Sequence, residues 1–205
     1  MRLNMLLSVI ATASFVANPA IAQELTGTLK KIKDTGTITL GHRESSLPFS
    51  YYDDKQQVIG YSQDFALEIV AALKTELSAP NLQIKLVPVT SQNRIPLVRN
   101  GTVDIECGST TNNRERQEQV AFSNSLFIVR TRLLTRKDSG IKDFPDLAGK
   151  NAVVSAGTTS ERLLRKLNEE KKLNIKITSA KDHGESFLIL ESGRAAAFML
   201  DDVLL

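Results

Sequence analysis

Apolar and polar positions alternate with two periods along this chain. At Thr37–Gly41 the period is two, with Ile38 and Leu40 on one face, which predicts a short strand. From Ser62 the period lengthens. Phe65, Ile69, Leu73 and Leu77 recur every four residues and predict an amphipathic helix. Ser62 would cap it, Asp64 would sit in its first turn, and Ser78-Ala79-Pro80 would stop it. Leu82, Ile84 and Leu86 return to the strand period. Ser91 opens a short helix that ends at Asn100-Gly101, Val103-Asp104-Ile105 is a strand, Asn112–Gln119 a polar helical turn, and Leu126–Thr135 a long apolar strand.

A second run of the same kind follows. Ala152-Val153-Val154-Ser155 is a strand, and Gly157-Thr158-Thr159-Ser160 opens a helix carrying Leu163, Leu164 and Leu167. Ile175 and Ile177 lie on the next strand. His183–Ser192 is a helix stopped by Gly193, and Ala196–Leu200 is a strand running into Asp201-Asp202. Strands alternating with helices imply an α/β fold with parallel sheets. The two runs echo each other in order, which suggests two similar lobes facing one another. The charged, Gly-containing stretch from Lys137 places their boundary near 135/136, giving a first lobe over 23–135 and a second over 136–205.

The first 22 residues read differently. Arg2 is followed by an apolar run from Met5 to about Val16 and by Ala20-Ile21-Ala22, a small-x-small cleavage pattern. Residues 1–22 are therefore a signal peptide, and the mature chain is exported. A membrane anchor is the alternative, but the run is short for a span. At the other end, Asp201-Asp202-Val203-Leu204-Leu205 starts an apolar helix and stops, so the chain reads as truncated.

Composition narrows the function classes. Lys plus Arg is 26 and Asp plus Glu 23, a net charge of +3 that argues against a nucleic-acid partner. One Cys excludes a disulfide scaffold and a thiolate metal site, and two His exclude an all-histidine one. Trp is absent, so no Trp-lined sugar groove can form. No nucleotide loop occurs, and no cofactor is expected. Cys107 reads as a small buried hydrophobe.

The chemistry gathers where strands end. Those ends hold Gly41-His42-Arg43-Glu44-Ser45-Ser46, Thr90-Ser91-Gln92-Asn93-Arg94, Gly108-Ser109-Thr110-Thr111, Gly157-Thr158-Thr159-Ser160 and Asp201-Asp202. In open parallel sheets ligands bind beyond the carboxyl ends of strands. Arginines, hydroxyls and helix N-termini suit anions, and an Asp suits an ammonium. Two anion subsites and one cation subsite describe an acidic amino acid.

Four stretches carry a family resemblance. Thr110-Thr111-Asn112-Asn113-Arg114-Glu115-Arg116 with Ala121-Phe122-Ser123 resembles the ligand-carboxylate motif of periplasmic amino-acid-binding proteins, the type II solute-binding components of ABC importers. Gly41–Ser46, Thr90–Leu97 and Glu106–Asn113 resemble more narrowly the glutamate/aspartate-binding members of that family in Gram-negative bacteria. The likeness runs from about Leu29 to Leu205.

The resemblance implies a two-lobed periplasmic-binding-protein type II fold whose C-terminal part, which crosses back to complete the first lobe, is missing here. It implies that Arg116, with Thr111 and Ser109, clamps the ligand α-carboxylate, and that Thr159 donates to the same group or simply caps its helix. Asp201 would take the α-ammonium, with Asp202 facing away. For the side-chain carboxylate the candidates are Arg43, Arg94 and Ser91, with His183 across the cleft; Ser91 is equally a helix cap and His183 equally a buried hydrogen-bonded ring. Phe49, Tyr51 and Tyr52 either wall the ligand or belong to the core. The implied function is capture of L-glutamate or L-aspartate in the periplasm by a monomer that delivers it to the transmembrane subunits of an ABC permease. A dehydratase-like enzyme and a receptor's ligand-sensing domain are the alternatives on the same fold. The 205-residue form itself is expected to be poorly stable and to bind little ligand.

Overall fold

The structure is a computed structural model that describes residues 24–205. The signal-peptide reading of residues 1–22 lies outside the described residues.

The chain begins with α1 (Gly27–Thr35) and β1 (Thr37–His42), followed by three short strands, β2 (Ser45–Ser46), β3 (Ser50–Tyr52) and β4 (Val58–Ile59). Then come α2 (Tyr61–Glu76), β5 (Gln83–Pro88), α3 (Arg94–Arg99), β6 (Ile105–Glu106) and α4 (Arg114–Gln117). The second run holds β7 (Thr131–Thr135), β8 (Asn151–Ser155), α5 (Thr159–Lys171), β9 (Lys176–Ala180), α6 (His183–Glu191) and β10 (Ala197–Asp201).

These strands form two main sheets. The first has the order β5-β1-β6, all parallel, with Ile38 opposite Ile84 and Leu40 opposite Leu86. The second has the order β7-β10-β8-β9 and is parallel except for β7. β2, β3 and β4 make a small antiparallel sheet. The expected strands at 37–41, 82–86, 152–155 and 196–200 are all present, each shifted by a residue or two.

Each sheet carries its own core. Ile38 and Leu40 of β1 pack with Ile32, Ala66, Val70, Leu77 and Leu82. Ala152 and Val154 of β8 pack with Leu147, Leu164, Ile175, Ala197 and Met199. On the other face of the second sheet, Val153 and Phe198 pack with Ala180, Ile189, Leu190, Ala195 and Leu200. Burial on this scale stabilises by about 1.5–3 kcal/mol per large side chain.

Four differences from the sequence reading have physical causes. First, α2 presents Ser62, Ala66 and Val70 inward, whereas Phe65 and Ile69 remain 38% and 37% exposed. The small residues let the helix approach the sheet, and Phe65 joins an edge-to-face cluster with Tyr61, which contacts Phe49 and Phe127. Second, Ser62 does not cap α2: the N-cap is Gly60, and Ser62 Oγ donates to the Gly108 carbonyl at 2.8 Å. Third, only Thr131–Thr135 of the expected long strand forms; Ile128 before it is 90% exposed. Fourth, β7 pairs with β10, so the second sheet begins before the 135/136 boundary. The antiparallel β2–β4 sheet and α1 were not expected from the pattern; strands of two or three residues are too short to show a period.

The two lobes touch across a cleft. Gly184 N donates to Ser45 Oγ at 3.2 Å, Arg116 Nη2 donates to the Gly157 carbonyl at 3.2 Å, and Arg162 pairs with Glu115. Among the described residues no helix is long and apolar enough to cross a membrane.

Candidate functional site

The carboxyl ends of β1 and β6 in the first lobe face those of β8 and β10 in the second. Seven of the nine expected site residues line one pocket between them: Ser91, Arg94, Ser109, Thr111, Thr159, His183 and Asp201. Thr158, Leu200 and Leu204 complete its lining. Arg43 and Arg116 lie outside that lining. Arg43 sits directly behind Ser109 and donates to its Oγ from Nη1 at 3.3 Å. Arg116 lines an adjoining depression with Gln92 and Gly157, and its guanidinium reaches the carbonyl of Thr111, which lines the first pocket.

Local structure explains how each group is held. Arg43 follows β1; its N–H donates to Ser50 Oγ at 2.9 Å, which ties it to β3. Gly108 makes room for it, since a Cβ there would fall 2.8 Å from Arg43 Cγ and 2.5 Å from Glu106 Oε1. Asn113 caps α4 by accepting from Arg116 N at 3.0 Å. Arg116 Nη1 then donates to the Thr111 carbonyl at 2.8 Å. The turn before α3 is closed by Thr90 and Asn93, which bond each other reciprocally. Ser91 is thereby relieved of capping, and its Oγ is buried with no hydrogen-bond partner. Thr158, not Thr159, caps α5: its Oγ1 accepts from Glu161 N at 3.1 Å and donates to the Ser155 carbonyl at 2.7 Å. Thr159 stands at the first helical position and faces the pocket. Asp201 ends β10 and accepts from Thr131 Oγ1 at 3.4 Å. Asp202 turns away and accepts from Arg130 N and Val203 N.

The electrostatics are unusual for a core. Arg43, Arg94 and Arg116 are each at most 6% exposed, yet none forms an ion pair within 4.0 Å among the described residues. Nε and Nη1 of Arg94 and Nε of Arg43 are buried without any partner. Burial brings the Arg94 pKa down to about 9, opposed by Glu106 and reinforced by Arg43 and Arg116. Burial also lowers those of Arg43 and Arg116, again against Glu106. Desolvation pushes Asp201 above the usual carboxylate range. His183 is buried and lies well below 6.5, first through desolvation and then through Arg43 and Arg94.

The sequence reading names Glu106 only as an acid–base candidate for the dehydratase alternative, and it gives Ser155, which lies behind the pocket, no role beyond its strand. Glu106 is the acidic group that faces all three arginines; its Oε2 accepts from Thr110 Oγ1 at 2.6 Å and its Oε1 is buried and unpartnered. Ser155 bonds His183 Nδ1 at 2.7 Å. Each ends a strand directly after an apolar residue, and a polar residue there was the available signal. Phe49 and Tyr52 belong to the packing: Phe49 stacks on Tyr61 and Phe127, Tyr52 on His42. Cys107 is partly buried against the first core, and burial pushes its thiol up to about 12.

Two facing α/β lobes with polar groups at the strand ends define a cleft-binding protein of the type II periplasmic-binding fold. Residues 38–188 match the bacterial extracellular solute-binding proteins, family 3, and the chain belongs to that family. It is 62% identical over 201 residues to an L-glutamate/L-aspartate-binding protein of Pseudomonas aeruginosa, covering 98% of this chain and 67% of that one. It is 66% identical over 178 residues to a glutamate/aspartate import solute-binding protein of Salmonella typhimurium, covering 87% and 59%. Among solved structures, a mutant of the arginine-binding protein of T. maritima superposes with a TM-score of 0.76 at 29% identity, covering 87% of this chain and 73% of that one. The chain spans 59% to 67% of the length of these curated relatives.

Proposed function

We propose that this protein captures L-glutamate or L-aspartate outside the cytoplasm, in the periplasm, and delivers it to the membrane subunits of an ABC importer. The observation that carries the reading is the set of buried guanidinium N–H groups and the Ser91 hydroxyl left without partners beside one pocket. Buried polar groups are nearly always satisfied, so unsatisfied donors at a cleft call for a ligand with acceptors. The charges agree. Arg43, Arg94 and Arg116 against Glu106 and Asp201 leave one positive charge, and an acidic amino acid carries one net negative charge.

Each group then has a task. Asp201 takes the α-ammonium. Arg116, which has five N–H groups and uses two on carbonyls, takes the α-carboxylate with Thr111, Ser109 and Thr159 at the N-terminus of α5. Arg43, Arg94 and Ser91 take the side-chain carboxylate, with His183 opposite. Because these groups come from both lobes, ligand favours the closed form over the open one, and closure is the signal the permease reads. The identity to importers of these two amino acids supports the ligand class. Binding, not catalysis, is the task of the site in this reading.

Titration calorimetry of the intact protein against the amino acids tests it. L-glutamate and L-aspartate should bind, with L-glutamine far weaker. Equal binding of glutamine and glutamate, or of neither, contradicts the assignment, and turnover of a cyclic acid by the same preparation would point to an enzyme instead.

A further inference from the structure

Behind the pocket, a hydrogen-bond chain in the second lobe has a direction set by its proton count. Ser186 Oγ lies 2.7 Å from the Asp182 carbonyl, which can only accept, so Ser186 donates its one proton there. Ser155 Oγ lies 2.9 Å from Ser186 Oγ and supplies the proton of that bond. With its proton engaged, Ser155 Oγ accepts from His183 Nδ1 at 2.7 Å. His183 thus carries its proton on Nδ1. The ring is neutral, since burial together with Arg43 and Arg94 holds it well below 6.5. Its Nε2 is then a bare lone pair on a residue that lines the pocket.

A lone pair facing the pocket repels a carboxylate oxygen and accepts only from a donor. We infer that the site takes an acidic side chain together with one proton, which comes from solvent and forms an N–H bond at His183 Nε2 toward the ligand oxygen, and that Ser155 is a positioning residue that imposes this by fixing the ring's tautomer. The inference rests on the acidic-ligand reading above and adds a stoichiometry to it.

The surroundings of the ring agree. From the first lobe it faces Arg43 and Arg94, the charges that bear on it most. β2 offers Ser45, whose Oγ accepts from Gly184 N, and β8 offers Ser155. On its own lobe the charged neighbours along the chain are engaged locally: Glu185 accepts from Lys181 N, and Asp182 accepts from Glu185 N. At the end of β10, Asp201 lines the same pocket. An incoming carboxylate offsets the two arginines and raises the pKa of the ring. The bound pKa then exceeds the empty one, so binding takes up a proton between the two, and affinity weakens by up to about tenfold per pH unit as pH rises through that window.

Calorimetry of L-glutamate binding to the intact protein, in buffers of different ionisation enthalpy between about pH 5 and 8, reads the proton count directly. The wild type should take up as much as one proton per ligand. Ser155→Ala removes the acceptor at Nδ1, so the proton can move to Nε2 and serve the carboxylate without solvent's help. Uptake should then fall toward zero and the pH dependence of Kd should flatten, with binding retained. His183→Asn, which cannot titrate, should also lose the uptake, and it replaces Ser155→Ala should that variant not fold. Zero uptake by the wild type overturns the proton coupling and leaves the acidic-ligand reading standing. Uptake unchanged in both variants places the proton elsewhere and overturns it as well. Failure of glutamate to bind the wild type overturns the ligand reading and the coupling together.

Discussion

Arg94 keeps two guanidinium nitrogens buried with no acceptor, and its pKa of about 9 leaves it charged at neutral pH. The cost of burying that charge is therefore fully present in the empty protein. Arg94→Met keeps the stem and removes the charge. It should raise the stability of the empty protein by about 1–3 kcal/mol, seen as a higher Tm, while weakening acidic ligands at least tenfold. A lower Tm together with unchanged affinity would make Arg94 a structural residue. His183 makes the second prediction at this scale. Its folded pKa lies below 6.5, so below about pH 6.5 the unfolded chain gains a proton that the folded state refuses. Stability of the empty protein should fall as pH drops from 6.5 toward the folded value. Urea midpoints of wild type and His183→Asn should diverge over that window; parallel curves contradict the neutral, buried ring.

Among the elements, α5 shows a side-chain-capped N-terminus. Thr158 accepts from Glu161 N and anchors to the Ser155 carbonyl, while Glu161 accepts from Gly157 N and from Ser179 Oγ. Thr158→Ala should cost about 1 kcal/mol, measured by denaturant unfolding, and a neutral result would remove the cap from the account. Elements of this kind were legible in the sequence because strand and helix periods are long enough to count. The strand at 152–155 showed as three apolar residues ended by Ser155, and its neighbour α5 opened on a Gly-Thr-Thr-Ser run. The inward face of α2 was not legible. Hydropathy favours Phe65 and Ile69, but the sheet accepts the smaller Ala66 and Val70, a choice made by tertiary packing. The strand ends supplied the candidate site, because parallel sheets gather them at one edge. Glu106 was hidden as a partner of the arginines by its place on a strand of two residues, and the bond from Arg116 to the Gly157 carbonyl of the other lobe depends on how the lobes meet, which no local spacing shows.

At the scale of the whole molecule, the proposed function rests on closing the lobes. Gly157 stands at that closure with φ +78, and a Cβ on it would lie 2.7 Å from Gln92 Cα across the cleft. Both the backbone conformation and the facing main chain exclude a side chain. Gly157→Ala should leave the cores untouched yet resist closure. Its expected mark is a Kd for glutamate raised at least tenfold, with no ligand-induced compaction in small-angle scattering. Compaction equal to the wild type would show that the close approach is not needed for closure. The measurement that bears most directly on the whole account is a crystal structure of the intact protein with L-glutamate. Side-chain carboxylate oxygens should lie within about 3.2 Å of the Arg94 guanidinium, with the ammonium on Asp201. A ligand bound elsewhere, or seated in the cleft with Arg94 still unpartnered, would contradict it.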